Sequence, residues 1–131
     1  LMTVHAETCT QLHTTIQQIH NAGMKAGVSI NPASPLSMIE DVICEADVIL
    51  LMSVNPGFGG QKFIESTYEK VRILRKMIKE KGANTIIEID GGVQQDNAAR
   101  LVESGADVLV CGSYIFNSED PKATIAALRN L

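Results

Sequence analysis

The sequence predicts an α/β fold built on a parallel sheet. Short apolar runs alternate with segments of helical periodicity, and the runs are apolar almost throughout instead of at every second residue. Strict strand–helix alternation makes neighbouring strands parallel. Near-continuous apolar strands fit a sheet covered on both faces. The five runs are Met2–His5, Ala26–Ile30, Val48–Val54, Ile86–Asp90 and Val108–Cys111.

Helices are expected between them. Thr10 to Ala22 carries Leu12, Ile16 and Ile19 at helical spacing and stops before Gly23. Ser37 to Cys44 reads as a short helix. Thr67 to Lys81 puts Val71, Leu74 and Ile78 on one stripe and ends at Gly82, and Asp96 to Ser104 ends at Gly105. Tyr114 to Asn117 reads as a short extra helix. Pro121 to Leu131 closes the chain, with Asp120 as N-cap and Pro121 at the first helical position. The strings Glu45-Ala46-Asp47-Val48-Ile49-Leu50 and Gly105-Ala106-Asp107-Val108-Leu109-Val110 look alike, each a helix end feeding a strand. The pattern is βα repeated five times within one domain. Two topologies accommodate it, an open doubly wound sheet and a closed barrel. The barrel needs eight units and about 200 or more residues, whereas these 131 residues supply five units. Leu1-Met2-Thr3-Val4-His5 reads as a strand already under way, so the chain is expected to be a piece of a longer one.

Composition narrows the function. The chain is 45% hydrophobic and 20% charged, with a net charge of −4 and a pI near 5.3. A nucleic-acid binder wants a basic face, which this balance argues against. No apolar run approaches the roughly 18–20 residues of a membrane span, and no secretory signal is visible. Cys9, Cys44 and Cys111 are odd in number and form no C-x-x-C pair. They read as reduced thiols, which places the protein in the cytoplasm or in an organelle stroma after removal of a targeting peptide.

In parallel α/β folds chemistry gathers at the C-terminal ends of the strands. Those ends are His5, Asn31, Met52 to Asn55, Asp90 and Gly112-Ser113. Three of them are glycine-rich. Gly57, Gly59 and Gly60 crowd the long connection from Asn55 to Ser66, letting backbone N–H groups converge on one spot. Asp90 ends an apolar strand and is followed by Gly91 and Gly92. A strand-end Asp is often a plain turn former, but an Asp before two glycines is unusual. Gly112 and Ser113 follow the last strand, where barrels commonly bind phosphate. Three such loops after consecutive strands make an anion site at one rim, held mainly by backbone N–H groups. Asp47 and Asp107 sit at strand starts and read as structural. His5 reads first as a structural residue, His13 and His20 as surface residues, and the basic run from Lys70 to Lys81 as a solvated face.

The string Met52-Ser53-Val54-Asn55-Pro56-Gly57-Phe58-Gly59-Gly60-Gln61-Lys62-Phe63 resembles the lid and phosphate-binding signature of ribulose-phosphate 3-epimerases. Val4-His5-Ala6-Glu7, Asn31-Pro32-Ala33-Ser34-Pro35-Leu36, Glu88-Ile89-Asp90-Gly91-Gly92-Val93 and Gly112-Ser113 match the same family in order and spacing. The resemblance spans residues 1 to 131 and implies the C-terminal five units of a TIM (β/α)8 barrel. It implies interconversion of D-ribulose 5-phosphate and D-xylulose 5-phosphate through metal-assisted proton abstraction at carbon 3. By the same resemblance Asp90 is a metal ligand and one of two acid/base carboxylates. Gly57, Phe58, Gly59, Gly60, Gly91, Gly92, Gly112, Ser113, Met52 and His5 belong to the set that meets the sugar phosphate, with Phe58 in a moving lid. The implied cofactor is a divalent metal, zinc, iron or manganese. The implied partner is a ketopentose phosphate, with no nucleic acid and no membrane, and self-association is left open. The family pattern also has three upstream strands, which carry the other metal ligands and the second carboxylate and do not occur here. A phosphosugar-binding fragment without turnover and a hexose-phosphate 3-epimerase are the alternatives.

Overall fold

A computed structural model describes residues 1–131. Five strands, β1 (Met2–His5), β2 (Ala26–Ile30), β3 (Val48–Met52), β4 (Ile86–Asp90) and β5 (Val108–Val110), form one parallel sheet in the order β1-β2-β3-β4-β5. The helices are α1 (Leu12–Asn21), α2 (Thr67–Glu80), α3 (Gln95–Ser104), α4 (Ser113–Phe116) and α5 (Pro121–Arg129). A doubly wound sheet reverses its strand order, because its helices divide between two faces. Here the order never reverses. With crossovers of one hand, every helix falls on the same side, and the sheet is an arc of a barrel.

The core lies between that arc and its helices. Val28, Ile30, Ile49, Leu51, Ile87 and Ile89 point outward and pack with Ile16, Ile19, Val71, Leu74, Ile78, Ala98 and Leu101. Each fully buried Val, Leu or Ile side chain among them contributes about 1.5–3 kcal/mol relative to exposure. The alternate residues face inward. Only β2 is buried along its whole length, while the inward residues of the other strands, Val48 apart, stay partly open or exposed. This departs from the two-sided burial expected of the apolar runs. Helices cover one face of the arc, and the inner face carries polar groups such as Glu88 and Asp90.

The segment Ser37 to Cys44 does not form an α-helix. It makes two 3₁₀ turns, Leu36–Met38 and Glu40–Val42, closed by bonds from Ile39 N to Leu36 O and from Val42 N to Ile39 O, both 3.1 Å. The tighter turns let Ile39, Val42 and Ile43 all reach the core. At the chain's end, Asp120 caps α5 as its sequence predicts, accepting from Ala123 N at 3.1 Å.

The two look-alike strings perform the same task. Before β3, Asp47 Oδ2 accepts from Ala26 N at 2.8 Å and faces His20 Nε2 at 2.9 Å. Before β5, Asp107 Oδ2 accepts from Ile87 N at 2.8 Å and from the Arg75 guanidinium. Each aspartate thus accepts an N–H at the start of the preceding strand, from its first residue in β2 and its second in β4, and pairs with a side chain of a covering helix. His20 is therefore more than a surface residue. The basic face of α2 is not wholly solvated either. Half-buried Lys70 donates to Asn31 O and Pro32 O at 3.1 Å and to Ser34 O at 2.6 Å. On the other side of that turn Glu7 accepts from Asn31 N at 2.7 Å and from the Ser34 hydroxyl. A cation takes the carbonyls and an anion takes the donors, so the segment after β2 is clamped from both sides.

Lys70→Met leaves three carbonyls without their shared donor. It should lower stability by about 1–3 kcal/mol, read as a lower urea midpoint at unchanged slope. The hydrogen bonds from Ala26 and His20 hold the Asp47 carboxyl below its ordinary value of 3.8. Its contribution is present above that value and is lost as pH falls through the lower folded one. Acid titration of stability should therefore be shallower in Asp47→Asn than in the wild type below about pH 4.

Candidate active site

The C-terminal ends of β3, β4 and β5 open into one cleft of about 1130 Å³. Met52, Gly57, Phe58, Gly59, Gly60, Asp90, Gly91, Gly92, Gly112 and Ser113 all line it. The glycine loops expected to converge do converge, because parallel neighbours send their C-terminal ends to one rim. His5 stands apart. It does not line the cleft, and the strand registers place it level with Ser29, Leu50 and Glu88, three strands from the Asp90 end. Its Nδ1 lies 3.5 Å from Glu7 Oε1.

Asp90 and Met52 are register partners on the inner face. Burial pushes the Asp90 carboxyl above the usual aspartate range, with no opposing charge or hydrogen bond to bring it back. Glu88, two residues earlier on the same face, is pushed up by burial and by Asp90. Burial and Asp90 also raise the Cys111 thiol. Of these three groups Asp90 is the one that lines the cleft, and a burial-raised carboxyl in a cleft marks a candidate site. Glu88 could have been found from the sequence, since period two puts it on the face of Asp90 in an otherwise apolar strand. No three His, Cys, Asp or Glu side chains gather into a metal-holding set. The donor set is one carboxylate at the rim, and the residues of this chain do not by themselves fit a metal centre.

The turn after β4 explains its two glycines. Gly91 and Gly92 have φ of 128° and 65°, a region that side chains disfavour. A Cβ on Gly91 would stand 2.7 Å from Val54 Cγ2 and 2.8 Å from Val54 N, and one on Gly92 would stand 2.7 Å from Phe63 N. Buried Asn97, which the sequence reading passed over, holds this turn. Its Oδ1 accepts from Gln94 N and its Nδ2 donates to Gly92 O, both at 2.9 Å. By contrast, Gly59 and Gly112 have nothing within 4 Å of the Cβ position. Open space there leaves their backbones free to be approached by a ligand.

The long connection is a self-braced loop. Gln61 Nε2 donates back to Asn55 O at 2.6 Å and to Phe58 O at 3.0 Å. Phe58 is 75% exposed at the mouth of the cleft. Where the loop rejoins the fold, Phe63 packs on Tyr68 with centroids 5.1 Å apart, and Arg100 lies 4.0 Å over the Tyr68 ring.

Known proteins show the same arrangement of sequence and fold. The ribulose-phosphate 3 epimerase family model matches residues 1–116. Ribulose-phosphate 3-epimerase of Bacillus subtilis is 47% identical, covering 98% of this chain and 60% of its own length. The chloroplastic ribulose-5-phosphate-3-epimerase of Arabidopsis thaliana is 49% identical, covering 98% of this chain and 47% of its own length. The Escherichia coli K12 enzyme is 45% identical over 99% of this chain and 58% of its own. The chain thus spans about half to three fifths of the curated relatives it matches. Among solved structures, 3-hexulose-6-phosphate synthase from Salmonella typhimurium superposes with a TM-score of 0.71 at 19% identity, covering 98% of this chain and 59% of that one. Thiamine phosphate pyrophosphorylase from Pyrococcus furiosus gives 0.63 at 20% identity, covering 98% and 56%. At such identities the likeness speaks for the fold, a partial TIM barrel. With the family model matching most of its length and relatives near half identical, this chain belongs to the ribulose-phosphate 3-epimerase family.

Proposed function

We propose that the protein carrying this chain interconverts D-ribulose 5-phosphate and D-xylulose 5-phosphate. The observation that carries this reading is the cleft itself, where one carboxyl raised by burial faces three glycine-bearing loops. The loops suit the phosphate. Backbone N–H groups from Gly57 to Gly60, Gly91, Gly92, Gly112 and Ser113 can surround a dianion without a lysine or arginine.

Asp90 suits the reacting end. Carbon 3 carries its proton next to a ketone. A carboxylate oxygen of Asp90 takes that proton, and the electron pair of the broken C–H bond forms the carbon 2–carbon 3 double bond of an enediolate. Return of a proton to the opposite face gives the epimer, and the second acid must come from residues beyond this chain. A raised carboxyl serves both directions, since its base and acid forms are closer in population near neutrality. Half-buried Met52 beside it helps keep water from the intermediate. Asp90 is also this chain's single proposed ligand for a divalent zinc, iron or manganese ion, the remaining ligands lying outside these residues. No helix is long and apolar enough to cross a membrane, and all three cysteines are free, which supports a reducing compartment, the cytoplasm or a stroma.

Turnover of ribulose 5-phosphate by the full-length protein, with hexulose phosphates as controls, tests the reading. Preference for six-carbon substrates would move it to a hexose-phosphate epimerase. Asp90→Asn should lower kcat by roughly 10²–10⁴-fold. The raised folded value means that the ionised side chain disfavours the fold increasingly as pH rises through it. The same variant should therefore melt higher at neutral pH, by about 1–3 °C. Near-normal turnover in Asp90→Asn would remove Asp90 from the chemistry. Ser113→Ala should raise KM about 3–10-fold, the loss of one net hydrogen bond, and leave kcat within about twofold. A fall in kcat at unchanged KM would count against a binding role.

A further inference from the structure

We propose that Ser53 is a positioning residue that ties both roots of the lid to the Asp90 turn, so that lid closure and carboxylate placement are one motion. The inference rests on the epimerase reading above.

Ser53 is 0% exposed and follows the last residue of β3. It bonds in three directions. Its N–H donates to Asp90 O at 2.9 Å, and its hydroxyl donates to Gly91 O at 2.5 Å. Its own carbonyl accepts from Ile64 N at 2.8 Å. Ser53 enters the lid and Ile64 leaves it, so the ten-residue span between chain positions 53 and 64 is closed at its base by this one residue. Two of the three bonds belong to any backbone. The third exists because residue 53 carries a hydroxyl.

Packing makes the tie stiff. The Gly91 Cβ position is walled by Val54 and by Ser53 Oγ at 3.0 Å, and the Gly92 position by Phe63 N and Gln61 O. The Asp-Gly-Gly turn is therefore wedged between the outgoing and returning strands of the lid. A displacement of either root presses on Gly91 or Gly92, one and two residues after Asp90. Gly91 and Gly92 also line the proposed phosphate end of the cleft. Phosphate capture by the lid and the aim of the Asp90 carboxyl are then coupled through Gly91 O, with Ser53 Oγ as the fixed point. Misplacement of a reacting group by about 1 Å can cost on the order of 100-fold in rate.

The experiment compares wild type, Ser53→Ala, Ser53→Thr and Ser53→Cys in the full-length protein. Initial rates on ribulose 5-phosphate are paired with amide exchange of residues 57–63 and of β2. Ser53→Ala should lose about tenfold or more in kcat with KM changed less than threefold, and lid amides should exchange faster while β2 stays protected. Ser53→Thr, which keeps the hydroxyl, should recover most of the rate. Ser53→Cys, similar in shape but a weaker donor, should fall between and supplies the comparison if Ser53→Ala does not fold. Wild-type-like kcat in both Ser53→Ala and Ser53→Cys overturns the proposal. So does a loss of melting temperature at unchanged kcat, or equal loss in the Thr variant. An inactive wild type would instead overturn the epimerase reading, so the two failures are distinguishable.

Discussion

The cleft depends on the parallel pairing of β3 with β4, and above all on the register that sets Met52 against Asp90. Parallel strands deliver their following loops to the same rim, so the long loop after β3 and the Asp-Gly-Gly turn after β4 must share space. That crowding is what excludes side chains at positions 91 and 92 and buries Ser53 between them. It also sets an apolar methionine beside a carboxylate. The dehydration that raises the Asp90 proton affinity is therefore a consequence of strand direction and register, not of any residue recruited to tune it.

The two ends of the sheet treat charge in opposite ways. At the N-terminal rim, Asp47 and Asp107 each accept an N–H at the start of the preceding strand and pair with a side chain of α1 or α2, His20 and Arg75 respectively. Their negative charge is absorbed, and it stabilises the sheet. At the C-terminal rim, Asp90 has neither cation nor donor from the fold, and Glu88 adds a second carboxyl beneath it. A carboxylate without partners costs stability. Placing it where ligands enter is the arrangement expected of α/β barrels, whose bottom face serves stability and whose top face serves chemistry.

Much of this could be read from residue order. The strands of β1, β2 and β4 coincide with their apolar runs, and helices α1, α2, α3 and α5 lie within two residues of their periodic segments, because burial of a single stripe drives both. The glycine loops were legible because Gly-Gly after a strand-end Asp has few conformational excuses. Features set by distant contacts were not. Lys70 looks like one of several basic residues on α2, and only the fold brings the carbonyls of Asn31, Pro32 and Ser34 to its ammonium. Ser37 to Cys44, expected as a short helix, forms two 3₁₀ turns, since spacing alone does not separate the two over so short a segment. Asn97 and Ser53 act through backbone groups of the Gly91–Gly92 turn, and nothing local marks a side chain whose partner is another segment's carbonyl.

The same alternation that builds the core also aims the chemistry. In β4, Ile87 and Ile89 are wholly buried against the helices, and Glu88 and Asp90 take the other face. A slip of one residue would drive two carboxylates into the apolar layer and turn two isoleucines onto the inner face. Burying two unpaired charges costs several kcal/mol each, and losing two isoleucines from the core costs a further few kcal/mol. Asp90 therefore needs no partner of its own to fix its direction. Its neighbours in sequence hold it on the inner face because they cannot be there themselves. The core thus decides which face the carboxylate takes, and the loop roots joined at Ser53 are left only to refine its aim.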